Sequence, residues 1–255
     1  MRLSLDKPMK ITILGAGGTG GYAIPHLYRI LYALERPVKI IIADGDTVEE
    51  KNLFRQNFID TDLGRNKAQV LAERYAAAFG MEALYIPEYI EDEAKLEALV
   101  KPDRYQVDPY NYYKRAEELS ILIGCVDNNR SRRLCHQVFK KAGNLIYIDS
   151  GNGEYTGQVV CGVRRGGRTY YRSIGDTYPD VLMDTDRFPT ELSCAEAAVS
   201  APQSIAANIM AAAAVVSFIY NILILGCIDV SSVTFSTKTV KIKPVITKKR
   251  KRKAA

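Results

Sequence analysis

The pattern that most restricts the fold of this chain lies close to its amino terminus. A short β-rich run, Met9–Leu14 (MKITIL), ends at the glycine-rich stretch GAGGTGG, and helix-compatible residues follow over positions 22–34. A continuous apolar run, Val38–Ala43 (VKIIIA), comes next and is followed at once by Asp44. Strand, glycine turn, helix and strand in this order predict a right-handed βαβ unit with two parallel strands side by side.

The alternation of strands and helices continues to about residue 150, which predicts a Rossmann-like, doubly wound and mainly parallel sheet. Apolar residues make up 47% of the chain and charged residues 25%, the balance of an ordinary folded protein. The predicted strands lie over residues 83–87, 120–126 and 145–149, and the predicted helices over residues 66–79, 92–100 and 130–142.

The pattern changes in the C-terminal half, where strands follow one another without intervening helices. Residues 155–164 and 168–172 predict an antiparallel hairpin, and residues 232–245 predict one or two further strands. We therefore expect a single α/β domain over residues 1–247, with an antiparallel extension of the sheet in its C-terminal half.

The basic excess of the chain is concentrated at its C-terminal end. The formal net charge is +6, and residues 248–253 read KKRKRK. We expect residues 248–255 to form a disordered basic tail, with attraction to nucleic acid, an acidic partner or a membrane surface as the alternative. The apolar run over residues 209–228 is expected to be a buried helix rather than a membrane span. Because the first residues lack a secretory leader pattern, we expect a cytoplasmic protein.

Four glycines of the first turn are candidates for binding phosphate. A glycine turn between a strand and a helix lets backbone N–H groups and the positive end of the helix face an anion. Such turns also occur where a helix simply packs closely on a strand, so the pattern alone leaves both interpretations open. The four residues are Gly15, Gly17, Gly18 and Gly20.

Charged residues beyond the second strand indicate which nucleotide is bound. Asp44 lies where an acid hydrogen-bonds ribose hydroxyls in dinucleotide-binding enzymes. Two cations, Arg55 and Lys67, follow just past the nucleotide end of the sheet. Cations there suit a triphosphate whose charge shifts during displacement at phosphorus. A nicotinamide-dependent oxidoreductase, the rival interpretation, leaves these cations and Asp127 unexplained.

Four signatures in order carry a family resemblance. The run D-G-D-x-V-x-x-x-N-L-x-R-Q begins at Asp44, follows G-A-G-G-T-G and precedes G-x-x-K, and Asp127 stands after the apolar run SILIGCV. In these motifs the chain resembles the ThiF/MoeB/HesA superfamily, which includes the adenylation domains of ubiquitin-activating enzymes. The resemblance implies that Asp44 holds the ribose with Asp46 close by, and that Asp127 binds magnesium. It also implies that the phosphates are surrounded by Asn52, Arg55, Gln56 and Lys67.

The reaction implied by this resemblance is adenylation of a carboxylate with ATP and Mg²⁺. A carboxylate is already ionised at neutral pH, so it attacks the α-phosphate without a general base and pyrophosphate leaves. Arg55 and Lys67 would stabilise the transition-state charge, and Mg²⁺ held by Asp127 would bridge phosphate oxygens. A carboxylate at a strand end suits a hard cation, although Asp127 could also cap the helix that begins near residue 130.

The resemblance further implies a substrate, the C-terminal glycine of a small ubiquitin-like or sulfur-carrier protein, and a homodimer as the assembly. The five cysteines are widely separated, so the chain lacks the two C-x-x-C zinc pairs common in MoeB- and ThiF-type members. This absence and the segment LSCAE at residues 192–196 are most similar to the ThiF proteins of bacterial PRTRC gene clusters. A small-molecule or tRNA-base carboxylate is the alternative substrate, and a non-catalytic binding module is a further rival.

Two other features leave alternatives open. Cys194 lies in a loop-like stretch and could accept the acyl group as a thioester, but no flanking cation lowers its pKa, so a structural cysteine is the alternative. The other four cysteines are predicted to be packing residues in apolar strands or helices. An insertion rich in tyrosine suits either docking of a partner protein or packing on the core. Its tyrosines are Tyr105, Tyr110, Tyr112 and Tyr113.

Overall fold

The computed structural model describes residues 1–82, 84–107, 110–111, 115–191 and 203–245. In this part of the chain the strands are β1 (Met9–Leu14), β2 (Val38–Ala43), β3 (Leu84–Ile86), β4 (Arg104–Gln106), β5 (Arg115–Glu117), β6 (Leu119–Gly124), β7 (Leu145–Asn152), β8 (Thr156–Arg165), β9 (Arg168–Tyr171), β10 (Ser232–Ser236) and β11 (Lys241–Pro244). The helices are α1 (Gly18–Leu34), α2 (Glu50–Leu53), α3 (Lys67–Phe79), α4 (Glu93–Val100), α5 (Asn129–Lys141), α6 (Ile174–Thr177), α7 (Asp180–Met183) and α8 (Ile205–Leu223). Single turns of 3-10 helix lie at Asp60–Asp62 and Pro189–Glu191.

Five parallel strands form the centre of a nine-stranded sheet, in the order β3-β2-β1-β6-β7. Antiparallel pairing then adds β8 to β7, β10 to β8 and β11 to β10, while β9 pairs with β8. The predicted fold class, a doubly wound sheet with an antiparallel extension, is confirmed. Strand addition reverses direction between β1 and β6, and sheets of this kind bind ligands in the crevice at that point.

Helices cover both faces of the parallel strands. One apolar core packs α1, α3 and α8 against the first face, and a second packs α4 and α5 against the other. All six residues of β1 are buried, including Lys10 and Thr12, as expected for the central strand of a parallel sheet that is covered on both faces. By length and composition α8 is apolar enough to cross a membrane, and it buries one face against α1, β7 and β8.

Local signals set the ends of several helices. Asn66 and Asp92, predicted as helical, are N-caps, because their side chains accept hydrogen bonds from the N–H groups of Gln69 and Lys95. Helix α1 begins at Gly18, ahead of the predicted start at residue 22. Close packing around the glycines of its first turn, rather than helix propensity, decides this start.

A small separate sheet joins the two ends of the tyrosine-rich insertion, since β4 pairs antiparallel with β5. Tyr105 lies in β4 and is half-buried, whereas Tyr110 is 98% exposed. Tyr112, Tyr113 and Cys194 lie outside the described residues, as does the basic tail.

Candidate active site

A cleft of about 490 Å³ lies at the carboxyl ends of β1, β2 and β6. Its wall is formed by the glycine turn after β1, the segment between β2 and α3, and the loop after β6. All but one of the site residues predicted from the sequence line this cleft, and Gly20 is the exception. The predicted residues on its wall are Gly15, Gly17, Gly18, Asp44, Asp46, Asn52, Arg55, Gln56, Lys67 and Asp127.

The glycine turn presents backbone groups to the cleft. Gly15 has a φ of +90°, and a Cβ at this position would lie 2.5 Å from the carbonyl oxygen of Cys125. Helix α1 begins at Gly18 without an acidic residue in its first turn. The first N–H groups of a helix have no partner within it, and they carry the positive end of its dipole. This end of the cleft therefore suits a phosphate group.

Gly20 lies beneath the turn rather than on the cleft wall. A Cβ on Gly20 would lie 2.0 Å from the carbonyl oxygen of Gly15. The alternative interpretation of the glycine pattern, close packing of helix on turn, therefore applies at this position. The predicted contact of Gly20 with the nucleotide gains no support from its location.

Asp44, predicted to hold a ribose, is bound to the turn itself. Its Oδ2 accepts a hydrogen bond from the N–H of Ala16 at 2.6 Å, and its Oδ1 accepts one from the N–H of Asp46 at 2.8 Å. Burial raises the pKa of this carboxyl to about 6, against the opposing effect of the Lys67 ammonium. The carboxylate fixes the glycine turn, and its oxygens keep lone pairs for a hydroxyl group.

Lys67 is a buried cation on the cleft wall. Its side chain is 6% exposed, and its Nζ donates to Oδ2 of Asp46 at 2.7 Å. Burial raises the pKa of Asp46, but the charge of Lys67 and hydrogen bonds from Lys67 and Tyr89 outweigh it and hold the pKa below its usual value. Asn66 fixes the start of α3, since its amide donates to the backbone carbonyls of Asp44 and Asp46.

The segment that follows β2 brings Arg55 and Gln56 to the cleft. Asn52 is buried, and its Oδ1 accepts from the N–H of Glu49 at 2.9 Å, which closes a capping box on α2. Asn52 thus has a structural role in addition to the predicted phosphate contact. Gln56 is buried beside Gly17, and its Oε1 has no hydrogen-bond partner among the described residues. A buried acceptor without a partner costs free energy, so a donor on a ligand fits here.

Asp127 follows β6 and is exposed on the cleft wall. The helix cap considered for Asp127 belongs to the next residue, because Oδ1 of Asn128 accepts from the N–H of Ser131 at 2.8 Å. The capping alternative for Asp127 is therefore wrong. Within the described ranges, no three His, Cys, Asp or Glu residues form a group that could hold a metal ion. A metal at Asp127 needs further ligands from the substrate.

Side chains from α5, the end of β7 and the segment before α8 complete the cleft, and the sequence did not predict them. Gln203 accepts from Nη1 of Arg55 at 3.1 Å, and it lines the cleft together with Asn152 and Arg132. Asn152 stands at the end of β7 and donates to Asn208 of α8. A lone amide among the apolar residues at the start of α8 is the sequence signal that could have identified Asn208.

A family model matches nearly the whole sequence. The match is to the ThiF family and covers residues 6–253. The chain belongs to the ThiF family. The predicted superfamily is thereby confirmed. No curated protein matches the chain significantly.

Solved structures of two proteins share the fold of this ThiF-family chain. PaaA is 17% identical with a TM-score of 0.63, over 94% of this chain and 64% of PaaA. MccB of E. coli is 19% identical with a TM-score of 0.61, over 93% of this chain and 62% of MccB. MccB has also been solved with ATP and, as the microcin C7 biosynthetic enzyme, with N-formylated MccA. The chain thus spans less than two thirds of the length of either protein.

Three thiols in the described part of this ThiF-family chain are not activated nucleophiles. Burial raises the pKa of Cys125, Cys135 and Cys161 to about 12. The predicted packing role is confirmed for Cys135 and Cys161, which are buried in α5 and β8, and for Cys125, which packs against the first core. The predicted location in a strand or helix was wrong for Cys125 and Cys227. β6 ends at Gly124, one residue before Cys125, and Cys227 is half-buried outside the named elements.

Proposed function

We propose that the protein uses ATP to adenylate a carboxylate, forming an acyl-AMP and releasing pyrophosphate. The observation that carries this proposal is the convergence of the glycine turn, Arg55, Lys67 and Asp127 on one cleft. A nicotinamide site would need the glycine turn but not the three charged side chains. Membership of the ThiF family and the MccB structure solved with ATP also support an adenylating site.

The proposed reaction balances without a general base. An oxygen of the ionised carboxylate forms a bond to the α-phosphorus of ATP, while the bond from that phosphorus to the oxygen bridging the β-phosphate breaks. Negative charge moves onto the departing pyrophosphate. Arg55 and Lys67 supply positive charge on the wall of the same cleft, where fixed cations stabilise a transition state without reorganisation.

The residues of the cleft fit ATP. The start of α1 suits the phosphates, and the remaining lone pairs of Asp44 suit ribose hydroxyls, with Asp46 close by. Two buried atoms on the wall, Oε1 of Gln56 and Oγ of Ser150, have no hydrogen-bond partner within the described part of the chain. A polar ligand in the cleft would satisfy such atoms.

A magnesium ion fits beside Asp127. Proteins commonly hold Mg²⁺ through one or two carboxylates together with substrate phosphates and water, rather than in a cage of side chains. Asp127 offers a carboxylate on the same wall as Arg55 and Lys67. When bound, the ion supplies Lewis-acid charge to the phosphate oxygens. Asp127 would hold it, while the two cations contact the phosphates directly.

We propose that a separate small protein or peptide carries the carboxylate that accepts the adenylyl group of ATP. A ubiquitin-like or sulfur-carrier protein that ends in glycine is the specific form of this proposal. The MccB structure solved with N-formylated MccA supports a separate partner molecule on this fold. A small-molecule or tRNA-base carboxylate is the alternative acceptor. A homodimer and a cytoplasmic location belong to the same proposal.

ATP–pyrophosphate exchange tests this function. The parent protein is assayed with ubiquitin-like carriers ending in glycine, peptides with a free carboxyl terminus, small carboxylic acids and tRNA. We expect exchange that requires one of the first two classes and falls about a hundredfold in Arg55→Ala. Asp127→Asn should raise the Mg²⁺ concentration that gives half-maximal exchange. Exchange with small acids or tRNA alone would replace the proposed acceptor, and a protein that does not bind ATP would contradict the whole proposal.

A further inference from the structure

One amide interrupts the buried face of α8. The other buried residues of this helix are alanine, valine, isoleucine, leucine and phenylalanine, whereas Asn208 is polar and 0% exposed. A buried amide costs free energy unless its donor and acceptor groups are satisfied. An apolar residue would serve a helix that only packs on the sheet, so the amide indicates an additional role.

The side chain of Asn208 joins separate walls of the cleft. Its Nδ2 donates to the backbone carbonyl of Arg55 at 3.0 Å, and its Oδ1 accepts from Nδ2 of Asn152 at 2.9 Å. Oδ1 of Asn152 in turn accepts from the hydroxyl of Thr19 at 3.1 Å. A chain of hydrogen bonds therefore runs from the start of α1, through the end of β7 and α8, to the backbone of Arg55.

Gly18 and Gln203 complete this arrangement. A Cβ at Gly18 would lie 2.4 Å from Nδ2 of Asn208, so the amide occupies the space that a side chain would take. Gln203 precedes α8 and accepts from the guanidinium of Arg55. Arg55 is thus held at two points, its backbone carbonyl and its side chain. Because Gln203 is neutral, it orients the guanidinium without cancelling its charge.

We propose that Asn208 is a positioning residue that sets the place of Arg55 relative to the glycine turn. The inference rests on the proposed function, in which Arg55 contacts the phosphates of ATP. Asn208 is not among the residues that line the cleft, so it acts through Arg55 and not by touching the nucleotide. A displacement of about 1 Å at a reacting group can cost about a hundredfold in rate, which is why such a remote contact matters.

A double-mutant cycle on ATP affinity tests this inference. Asn208→Leu keeps the side chain close to its present size and removes both hydrogen bonds without adding charge. We expect the Kd for ATP, measured by isothermal titration calorimetry, to rise about tenfold in the parent and less than about twofold in Arg55→Ala. Ser217→Ala removes a hydroxyl that donates to the Ala213 carbonyl on the same helix, and it should leave the Kd unchanged.

Additive effects would overturn the inference, since equal rises of Kd in both backgrounds mean that Asn208 does not act through Arg55. An unchanged Kd in Asn208→Leu would overturn it as well. If the thermal midpoint shows that Asn208→Leu fails to fold, Asn208→Ala, which removes the same two hydrogen bonds with less bulk, takes its place in the cycle with the same expected loss of effect in Arg55→Ala. Parental ATP affinity in Arg55→Ala would instead contradict the proposed role of Arg55, a result distinct from additivity.

Discussion

The parallel strands carry a cavity at each of their two edges, and the cavities differ in what surrounds them. The cleft at the carboxyl edge has a volume of about 490 Å³, and the cavity at the amino edge, lined by the starts of β6 and β7, has about 580 Å³. If volume alone decided where a ligand binds, the cavity at the amino edge would be the expected site. Only at the carboxyl edge do crossover helices begin, so glycine N–H groups and positive helix ends meet there.

Two lysine–aspartate pairs illustrate the same difference. Nζ of Lys67 lies 2.7 Å from Asp46 at the carboxyl edge, and Nζ of Lys39 lies 2.7 Å from Asp103 at the amino edge. The Lys67 side chain is 6% exposed, whereas that of Lys39 is 54% exposed. Water screens an exposed pair, but an enclosed cation interacts strongly with an anion that reaches it. The two pairs have the same distance, so it is the burial of its side chain that makes Lys67 a candidate binding group and leaves Lys39 a surface residue.

Replacing the two lysines in turn gives the largest expected difference between the edges. Lys67→Met should lower the rate of adenylation by about 10²–10³-fold, because it removes a fixed charge that stabilises the transition state. Lys39→Met should change the rate by less than about twofold, because Lys39 lies at the amino edge, away from the cleft. Its exposed ion pair stabilises the fold by at most about 1 kcal/mol, so the variant should stay folded. Exchange rates, together with thermal midpoints that confirm folding, measure both. Equal losses in the two variants would remove the distinction between the edges.

A methyl group added to a glycine at each edge should give an intermediate effect. Gly20→Ala places a Cβ against the Gly15 carbonyl, and we expect it to lower the free energy of unfolding by about 1–3 kcal/mol and to weaken ATP binding. Gly143 precedes β7 at the amino edge and has open space around it, so Gly143→Ala should change stability by less than about 0.5 kcal/mol. Urea unfolding measures both. An undisturbed Gly20→Ala protein would contradict the tight packing of α1 on the turn.

The smallest expected effect is a difference in how stability depends on pH. Burial raises the pKa of Asp44 to about 6, whereas hydrogen bonds from Lys39 and Lys10 hold the pKa of Asp103 below its usual value. The stability that Asp44 contributes is present below about pH 4 and is lost as the pH rises to about 6. Asp103 contributes above about pH 4, and this stability is lost on acidification.

The two acids therefore predict opposite slopes. Asp44→Asn should gain stability relative to the parent as the pH rises from about 4 to about 6, because the parent must ionise a buried carboxyl in this interval. Asp103→Asn should be less stable than the parent above about pH 4, and its deficit should shrink at lower pH. Urea unfolding from about pH 3 to about pH 8 measures the difference. Slopes of the same sign would mean that burial does not control Asp44.

The sequence predicted the central strands and the charged groups because their signals are local. The bounds of β1 and β2 agree with the prediction, since each is a short run rich in β-branched and apolar residues that ends at turn residues. Asp44 directly follows β2, Arg55 lies in the segment between β2 and α3, and Lys67 begins α3, so all three reach the cleft at the same edge. Strands β4 and β5 were missed, because the runs RYQ and RAE are short and lack apolar alternation.

Contacts between distant residues could not be predicted from the sequence. Asn208 and Arg55 are separated by 153 positions, and nothing in the apolar pattern of α8 identifies the partner of its amide. The sequence predicted Asp44 as the ribose ligand with Asp46 close by, but it did not predict the contacts that the structure gives each of them. Asp44 binds the backbone of the glycine turn, and Asp46 binds Lys67. Such assignments depend on how the elements pack, which local patterns do not encode.

The transfer of oxygen from the acceptor to the nucleotide tests the central claim most directly. The terminal carboxylate of a supporting acceptor is labelled with oxygen-18, and hydroxylamine releases the acyl group after reaction with ATP. Attack at the α-phosphorus predicts a labelled oxygen in AMP and none in pyrophosphate. Label in inorganic phosphate, with ADP as the other product, would place the attack at the γ-phosphorus and contradict adenylation.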